Sequence, residues 1–284
     1  MQVEVNGTRI WFDVDGPSLV PAGAGMCERP VVLLLHGGMG YDHTYFKPDF
    51  RRLTDVAQIV YLDFRGMGRS AEADPESWDY ELLADDLRAF CNALGIVKPI
   101  VFGHSMAGPV AMLFAGHYPD HPGGLILQSC MARFDLDRVV AGFRRIAGDE
   151  VAAIARRFYR GDSSVTMQEW SRCRTAFGPW SPDEQVRARI QLHPELAAVG
   201  MIRLCTLNIT DQLGKISCPT LVCVGDRDPV TQPDDAREIA DALTCSDKRL
   251  RVLQGGGHFL WKDVPDSYWP LIQGFVVEAN PTKK

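Results

Sequence analysis

The stretch "VFGHSMAGPV", residues 101–110, decides the fold. A hydrophobic run, 100–102, leads into it, and a helix-compatible run, 106–117, leads out. Ser105 therefore falls on a strand-to-helix turn. Gly103 stands two residues before it and Ala107 two after. A turn this tight strains the backbone of its central residue and closes only over small neighbours at those two positions. It also exposes the central hydroxyl. The next amide, that of Met106, is left at a helix N-terminus, aimed at developing negative charge. The pattern is either a plain turn or a device that presents Ser105 as a nucleophile.

Working outward, short aliphatic runs alternate with amphipathic ones. Strands are predicted at 31–35, 59–62, 100–102 and 125–128, and helices at 45–53, 80–94 and 106–117. This rhythm predicts a mostly parallel sheet with helices on both faces. Ahead of it, 3–5 and 10–14 alternate around Asn6-Gly7 and read as a hairpin; 16–30, rich in Gly, Pro and Ala, reads as an exposed loop. The rhythm stops after 128 and resumes at 220–224, followed by a helix at 234–243, a strand at 249–253 and a last helix at 266–277. In between, helical signals dominate: 138–147, 149–160, 194–207, and capping boxes "TMQE" at 166–169 and "SPDE" at 181–184. The expected organisation is a core of 1–132 and 214–284 with an all-helical cap, 133–213, inserted between two strands.

At 284 residues the chain can bury a sizeable core, and its net charge of −6 argues against a nucleic-acid partner. The eight cysteines form no Cys-x-x-Cys pair, no basic-then-apolar leader opens the sequence, and the longest aliphatic run spans five residues. A reduced cytoplasmic protein without a membrane partner is the simplest expectation. Residues 133–214 hold 12 arginines, no lysine and 10 acidic residues, so this segment carries +2 and the remainder −8. Those arginines are either a solvated helical surface or, in part, a cleft lining suited to an anion.

The turn at Ser105 resembles the nucleophile elbow of the α/β-hydrolase fold, with Ala107 in place of the usual second glycine. That resemblance supplies further expectations. A serine hydroxyl needs a base. His104 is adjacent, but neighbours on a tight turn point apart. His258 in "LQGGGHF" follows the last predicted strand, at the position where the fold supplies its base. The acid that orients it is expected from "LVCVGDRDPV": the family pattern Gly-x-x-Asp lands on Asp228, with Asp226 as the alternative. The order Ser105, Asp228, His258 is the order of this fold. In "LLLHGGMG", residues 33–40, the Gly38 amide is expected to join that of Met106 in an oxyanion hole, with Met39 as second choice. In "DFRGMGRS", Asp63 and Arg65 are expected to brace loops around the site.

The HGGMG loop, the DFRGMGRS segment and the helical insert look most like the proline iminopeptidase-like and carboxylesterase branch, whose usual loop is His-Gly-Gly-Pro-Gly; Met39 replaces that proline. Relatives that are dehalogenases or epoxide hydrolases carry aspartate where this chain has Ser105. The resemblance implies a small-molecule ester or amide substrate and neither metal nor cofactor. Ester hydrolysis is the expected activity, with iminopeptidase action or a slow-turnover ligand receptor as alternatives. An aminopeptidase needs a carboxylate in the insert for the substrate's ammonium group; Glu169, Glu195 and Asp211 are available. His117 and His121 are four apart, but Pro119 and Pro122 break the helical geometry a metal site would need. Cys130 reads as a small buried residue, and Trp170 and Trp180 as packing residues of the insert or lining of its pocket.

Overall fold

The computed structural model describes residues 1–178 and 184–280. Among the described residues ten strands form: β1 (Gln2–Val5), β2 (Thr8–Asp15), β3 (Leu19–Ala22), β4 (Gly25–Glu28), β5 (Val31–Leu35), β6 (Gln58–Leu62), β7 (Ile100–His104), β8 (Gly124–Gln128), β9 (Thr220–Gly225) and β10 (Lys248–Leu253). Eight of them make one sheet in the order β1-β2-β6-β5-β7-β8-β9-β10. The run from β6 to β10 is parallel throughout; β2 joins it antiparallel. β1 and β2 meet in the expected hairpin, whose turn residues Asn6 and Gly7 both take positive φ.

The strand alternation explains why both faces are covered. Leu33, Leu35, Val101, Leu125, Leu127 and Val222 point to one face, where they pack with residues of α1 (Tyr80–Leu94) and α2 (Ala107–His117). Val32, Leu34, Phe102, Ile126 and Leu221 point to the other. There they meet Phe46, Phe50 and Trp261 and the last helices, which run Leu260–Asp263 and Pro265–Glu278. α1 starts on the Asp79 side chain, which caps the Leu82 amide, and stops at Gly95 in the left-handed region.

Two expectations need correction. Residues 16–30 are mostly exposed, but they are not a loop without structure: β3 and β4 pair there as a separate two-stranded ribbon. The helix expected at 45–53 is instead two 3₁₀ turns, His43–Phe46 and Asp49–Asp55. Pro48 lies between them; it offers no amide hydrogen and pushes Lys47 to an extended conformation, so one continuous helix cannot run through.

Between β8 and β9 the described residues are helical: α3 (Leu136–Tyr159), α4 (Met167–Arg174), a 3₁₀ turn (Thr175–Phe177), α5 (Glu184–Arg189) and α6 (Pro194–Cys205). α3 breaks at Gly148 (φ 86°, ψ 177°), the boundary expected between 147 and 149. The Thr166 capping box is present, with both reciprocal bonds. Residues 181–183 of the box at 181–184, and Trp180, lie outside the described residues. α7 (Pro233–Ala242) follows β9, and the Leu260–Asp263 and Pro265–Glu278 helices after β10 are α8 and α9.

The arginines of this segment are largely tethers. Arg133 reaches Glu238 at 3.0 Å, Arg138 pairs with both Asp235 and Glu238 on α7, and Arg145 donates to the Asp226 carbonyl at 2.8 Å. Arg144, Arg156, Arg157 and Arg172 pair with acidic residues of the segment itself. Among the described residues no helix is long and apolar enough to cross a membrane.

Candidate active site

Ser105 sits between the end of β7 and the start of α2 with φ 55°, a left-handed conformation that side chains beyond glycine rarely adopt. Holding it there costs about 1–3 kcal/mol, which the surroundings must over-determine. They do so through the main chain: the Ser105 amide donates to the Gln128 carbonyl at 3.0 Å, and its carbonyl accepts from Gly108 at 2.9 Å. The small neighbours are needed. A Cβ on Gly103 would lie 2.8 Å from the Ala107 carbonyl oxygen, and one on Gly108 would lie 2.3 Å from Cβ of Cys130. Met106 is the N-cap of α2, so its amide is one of the donors a helix start leaves without an intrahelical acceptor.

His258 follows β10 and the glycines at 255–257. Its Nε2 is 3.0 Å from Oγ of Ser105, and its Nδ1 is 2.7 Å from Oδ2 of Asp228. The proton assignment follows from chemistry. A carboxylate only accepts, so the ring proton is on Nδ1, and the bare Nε2 accepts from the serine hydroxyl. Asp228 is fully buried. Its Oδ1 accepts from the amides of Val230 (2.9 Å) and Thr231 (3.0 Å), and its Oδ2 also accepts from Oγ1 of Thr231 (2.6 Å). Both oxygens thus have donors, which hold the buried carboxylate in place and aim it at His258.

The alternative aspartate has another partner. Asp226 accepts from the Gly255 amide at 2.7 Å, so it braces the loop that carries His258 without touching the imidazole. Gly255 takes a positive φ of 81°, and Gly256 and Gly257 serve close packing. A Cβ on Gly257 would lie 2.2 Å from the Phe177 carbonyl oxygen, and the His258 amide donates to that same oxygen at 2.6 Å. The glycine turn of residues 37–40 also lies on the elbow, since a Cβ on Gly37 would come within 2.7 Å of Cβ of Ser105. Gly38 itself has φ 75°, and its α-carbon faces the Tyr41 ring.

Residues expected to brace the site do so. Asp63 accepts from the amides of His43 (3.0 Å) and Arg69 (2.9 Å) and contacts the His43 ring at 2.7 Å. Arg65 forms a two-pronged pair with Asp86 of α1, both contacts at 2.7 Å. Cys130 is buried, and burial pushes its thiol far above the ordinary range. Trp170 stacks on Phe158 at 3.7 Å, which is helix packing within the inserted segment. His117 lies by Glu81 at 3.3 Å, and His121 contacts Arg88. Glu169 is taken up by the Thr166 amide and by Arg157 at 2.9 Å, while Glu195 and Asp211 face solvent.

Sequence reasoning missed two supports of the site, Thr231 and the Phe177 carbonyl. A threonine three residues after an aspartate is a local turn signal that could have been read. The Phe177 contact joins main chain to main chain across the fold and leaves no residue signature at Phe177.

Comparison with known proteins agrees with this architecture. Residues 27–265 match the family described as serine aminopeptidase, S33. A proline iminopeptidase of Lactobacillus helveticus is 28% identical over 283 residues, covering 87% of this chain and 89% of that protein. Among solved structures, VinJ superposes with a TM-score of 0.80 at 22% identity, covering 98% of both chains. The proline iminopeptidase of Mycobacterium smegmatis superposes with a TM-score of 0.78 at 20% identity, covering 100% of this chain and 99% of that one. These likenesses and the sheet order give the chain the α/β-hydrolase fold that the elbow motif predicts.

Proposed function

The chain belongs to the serine aminopeptidase S33 family of hydrolases, and from that premise we propose that it cleaves small carboxylic esters through an acyl-enzyme on Ser105. The observation that carries this reading is the unbroken hydrogen-bond line from the strained Ser105 through His258 to the buried Asp228. His258 takes the serine proton as Oγ attacks the ester carbonyl. The amides of Gly38 and Met106 hold the oxyanion, with Met39 as the second candidate beside Gly38. The protonated His258 then gives its proton to the leaving alkoxide. In the second half, His258 activates water, which cleaves the acyl-serine bond and returns the free hydroxyl.

In this reading residues 133–213 act as a cap over a core of 1–132 and 214–284. The free state of all eight cysteines suits a reduced, cytoplasmic setting. No step calls on a metal or a cofactor.

The surroundings of three carboxylates in the helical segment favour esters over aminoacyl amides. Glu169 is consumed by Thr166 and Arg157, and Glu195 and Asp211 point to water, so none of these three is held ready for an ammonium group. The second reading, an iminopeptidase, is favoured by the family description and by the 28% identical Lactobacillus relative. The test compares kcat/KM for 4-nitrophenyl butyrate and proline 4-nitroanilide, each divided by its uncatalysed rate. A corrected preference for the ester supports the proposal, and a corrected preference for the prolyl amide replaces it with the iminopeptidase reading. Binding of both without turnover would make the chain a ligand receptor.

A further inference from the structure

His104 precedes the nucleophile and is nearly fully buried, yet it takes no part in the Ser105–His258–Asp228 line. Its two ring nitrogens face two different loops. Nδ1 lies 3.0 Å from Oη of Tyr45, and Nε2 lies 3.2 Å from the carbonyl oxygen of His258. Tyr45 in turn lies 2.5 Å from the amide of Gly37, in the glycine turn that packs on Ser105.

The protons in this line have one consistent assignment. The Gly37 amide can only donate, so Oη of Tyr45 accepts from it. The single Tyr45 hydroxyl proton then points at Nδ1 of His104, which must be bare. The ring proton is left for Nε2, and the group facing it, a carbonyl oxygen, can only accept. Moving the ring proton to Nδ1 would strand the tyrosine proton and set a bare nitrogen against a carbonyl oxygen. Charges are consistent with this. Burial, then the neighbouring His258, hold the His104 imidazole well below its ordinary value, and burial raises the Tyr45 phenol. Both groups therefore stay neutral.

We propose that His104 is a positioning residue which, with Tyr45, bridges the glycine turn of the oxyanion hole to the loop that carries His258. The inference rests on the hydrolase reading above. Its physical content is the accounting for the His258 backbone: the amide is fixed by the Phe177 carbonyl, and the carbonyl by Nε2 of His104. Asp228 holds only the side chain. The bridge therefore sets where the base stands relative to the oxyanion donors, and a displacement of about 1 Å in such a constellation costs on the order of 100-fold in rate.

The experiment uses full-length variants and two probes, 4-nitrophenyl butyrate for turnover and diethyl 4-nitrophenyl phosphate for titration. In the second, Oγ of Ser105 bonds to phosphorus, 4-nitrophenolate leaves, and the serine proton passes to His258. His104→Phe keeps a ring and removes both contacts, while Tyr45→Phe removes one oxygen. Both are expected to lower kcat by about 10- to 100-fold with KM within about twofold, because alignment and not substrate binding is lost. His104→Gln can place an amide N–H where Nε2 was; His104→Asn can reach only the Tyr45 side. Gln is expected to recover more of the rate than Asn. A role in packing alone would not produce that ranking.

The downfield proton resonance of the His258 Nδ1–H should shift in His104→Phe and return towards wild type in His104→Gln. If His104→Phe does not fold, Tyr45→Phe decides. A folded Tyr45→Phe with kcat within about twofold of wild type overturns the bridge, as does an Asn variant at least as active as Gln. Titration separates this from failure of the hydrolase reading. If wild type releases no stoichiometric 4-nitrophenolate and Ser105 stays unmodified, the reading of Ser105 as nucleophile falls, and the bridge with it. Full labelling of wild type with unimpaired variants overturns the bridge alone.

Discussion

Replacing Asp228 with asparagine isolates what the buried carboxylate does. Its Oδ1 accepts two backbone amides, those of Val230 and Thr231. An amide NH2 cannot take that place without facing two donors, so the asparagine oxygen must occupy it. The NH2 is then forced into the Oδ2 position, 2.7 Å from Nδ1 of His258. There it donates, which demands a bare Nδ1 and moves the ring proton to Nε2. The side of the ring that faces Ser105 becomes a donor, and the proposed base is lost with almost no change of shape. The same wrong-tautomer substitution in a serine protease costs about 10⁴ in kcat, which is about 5.4 kcal/mol of transition-state stabilisation. Asp226→Asn is the control, because an asparagine oxygen can still accept from Gly255; it should stay within about threefold of wild type. The assay is kcat/KM on 4-nitrophenyl butyrate at fixed pH, with near-ultraviolet circular dichroism to show native packing. A folded Asp228→Asn that keeps more than about 1% of wild-type activity would refute the tautomer argument. So would a larger loss in Asp226→Asn.

Two further outcomes follow from the backbone and from the buried rings. Ser105→Ala and Ser105→Gly should both lack turnover, but glycine relieves the φ of 55°, so Ser105→Gly should unfold about 2–4 °C higher than Ser105→Ala by calorimetry. Burial holds His36 and His104 below their ordinary value while the unfolded chain protonates them near pH 6.5, so the unfolded state binds more protons in acid; the contribution of these two rings to stability should be constant above about pH 6.5 and fall below it by up to about 1.4 kcal/mol per pH unit for each ring. His104→Phe should remove one such increment from the acid slope of urea-unfolding free energies, and an unchanged slope would mean that His104 is already charged in the folded protein.

The sheet and the elbow were legible because each is written in neighbouring residues. The aliphatic run at 31–35 and the small residues around Ser105 are local patterns with local causes. The helix expected at 45–53 failed at Pro48, a breaker that outranked an amphipathic pattern. The choice of Asp228 over Asp226 needed the family spacing, since both stand after the same strand and differ only in what they reach. The arginines of the insert were ambiguous for a related reason. Charge composition says nothing about partners, and the acceptors of Arg138 and Arg145 lie 97 and 81 residues away along the chain. His104 drew no role from the sequence, because its two partners come from 59 and 154 residues away, beyond any local pattern.

The meeting of the Phe177 carbonyl with the His258 amide is indifferent to side chains. The oxygen at position 177 belongs to the main chain, although the Phe177 ring also packs 5.5 Å from that of His258, whereas position 257 tolerates only glycine, because a Cβ there would lie 2.2 Å from that oxygen. The cost of change is therefore lopsided across one contact. A library that randomises position 177 should therefore keep this main-chain contact and vary only the packing beside it, whereas one that randomises position 257 should lose it.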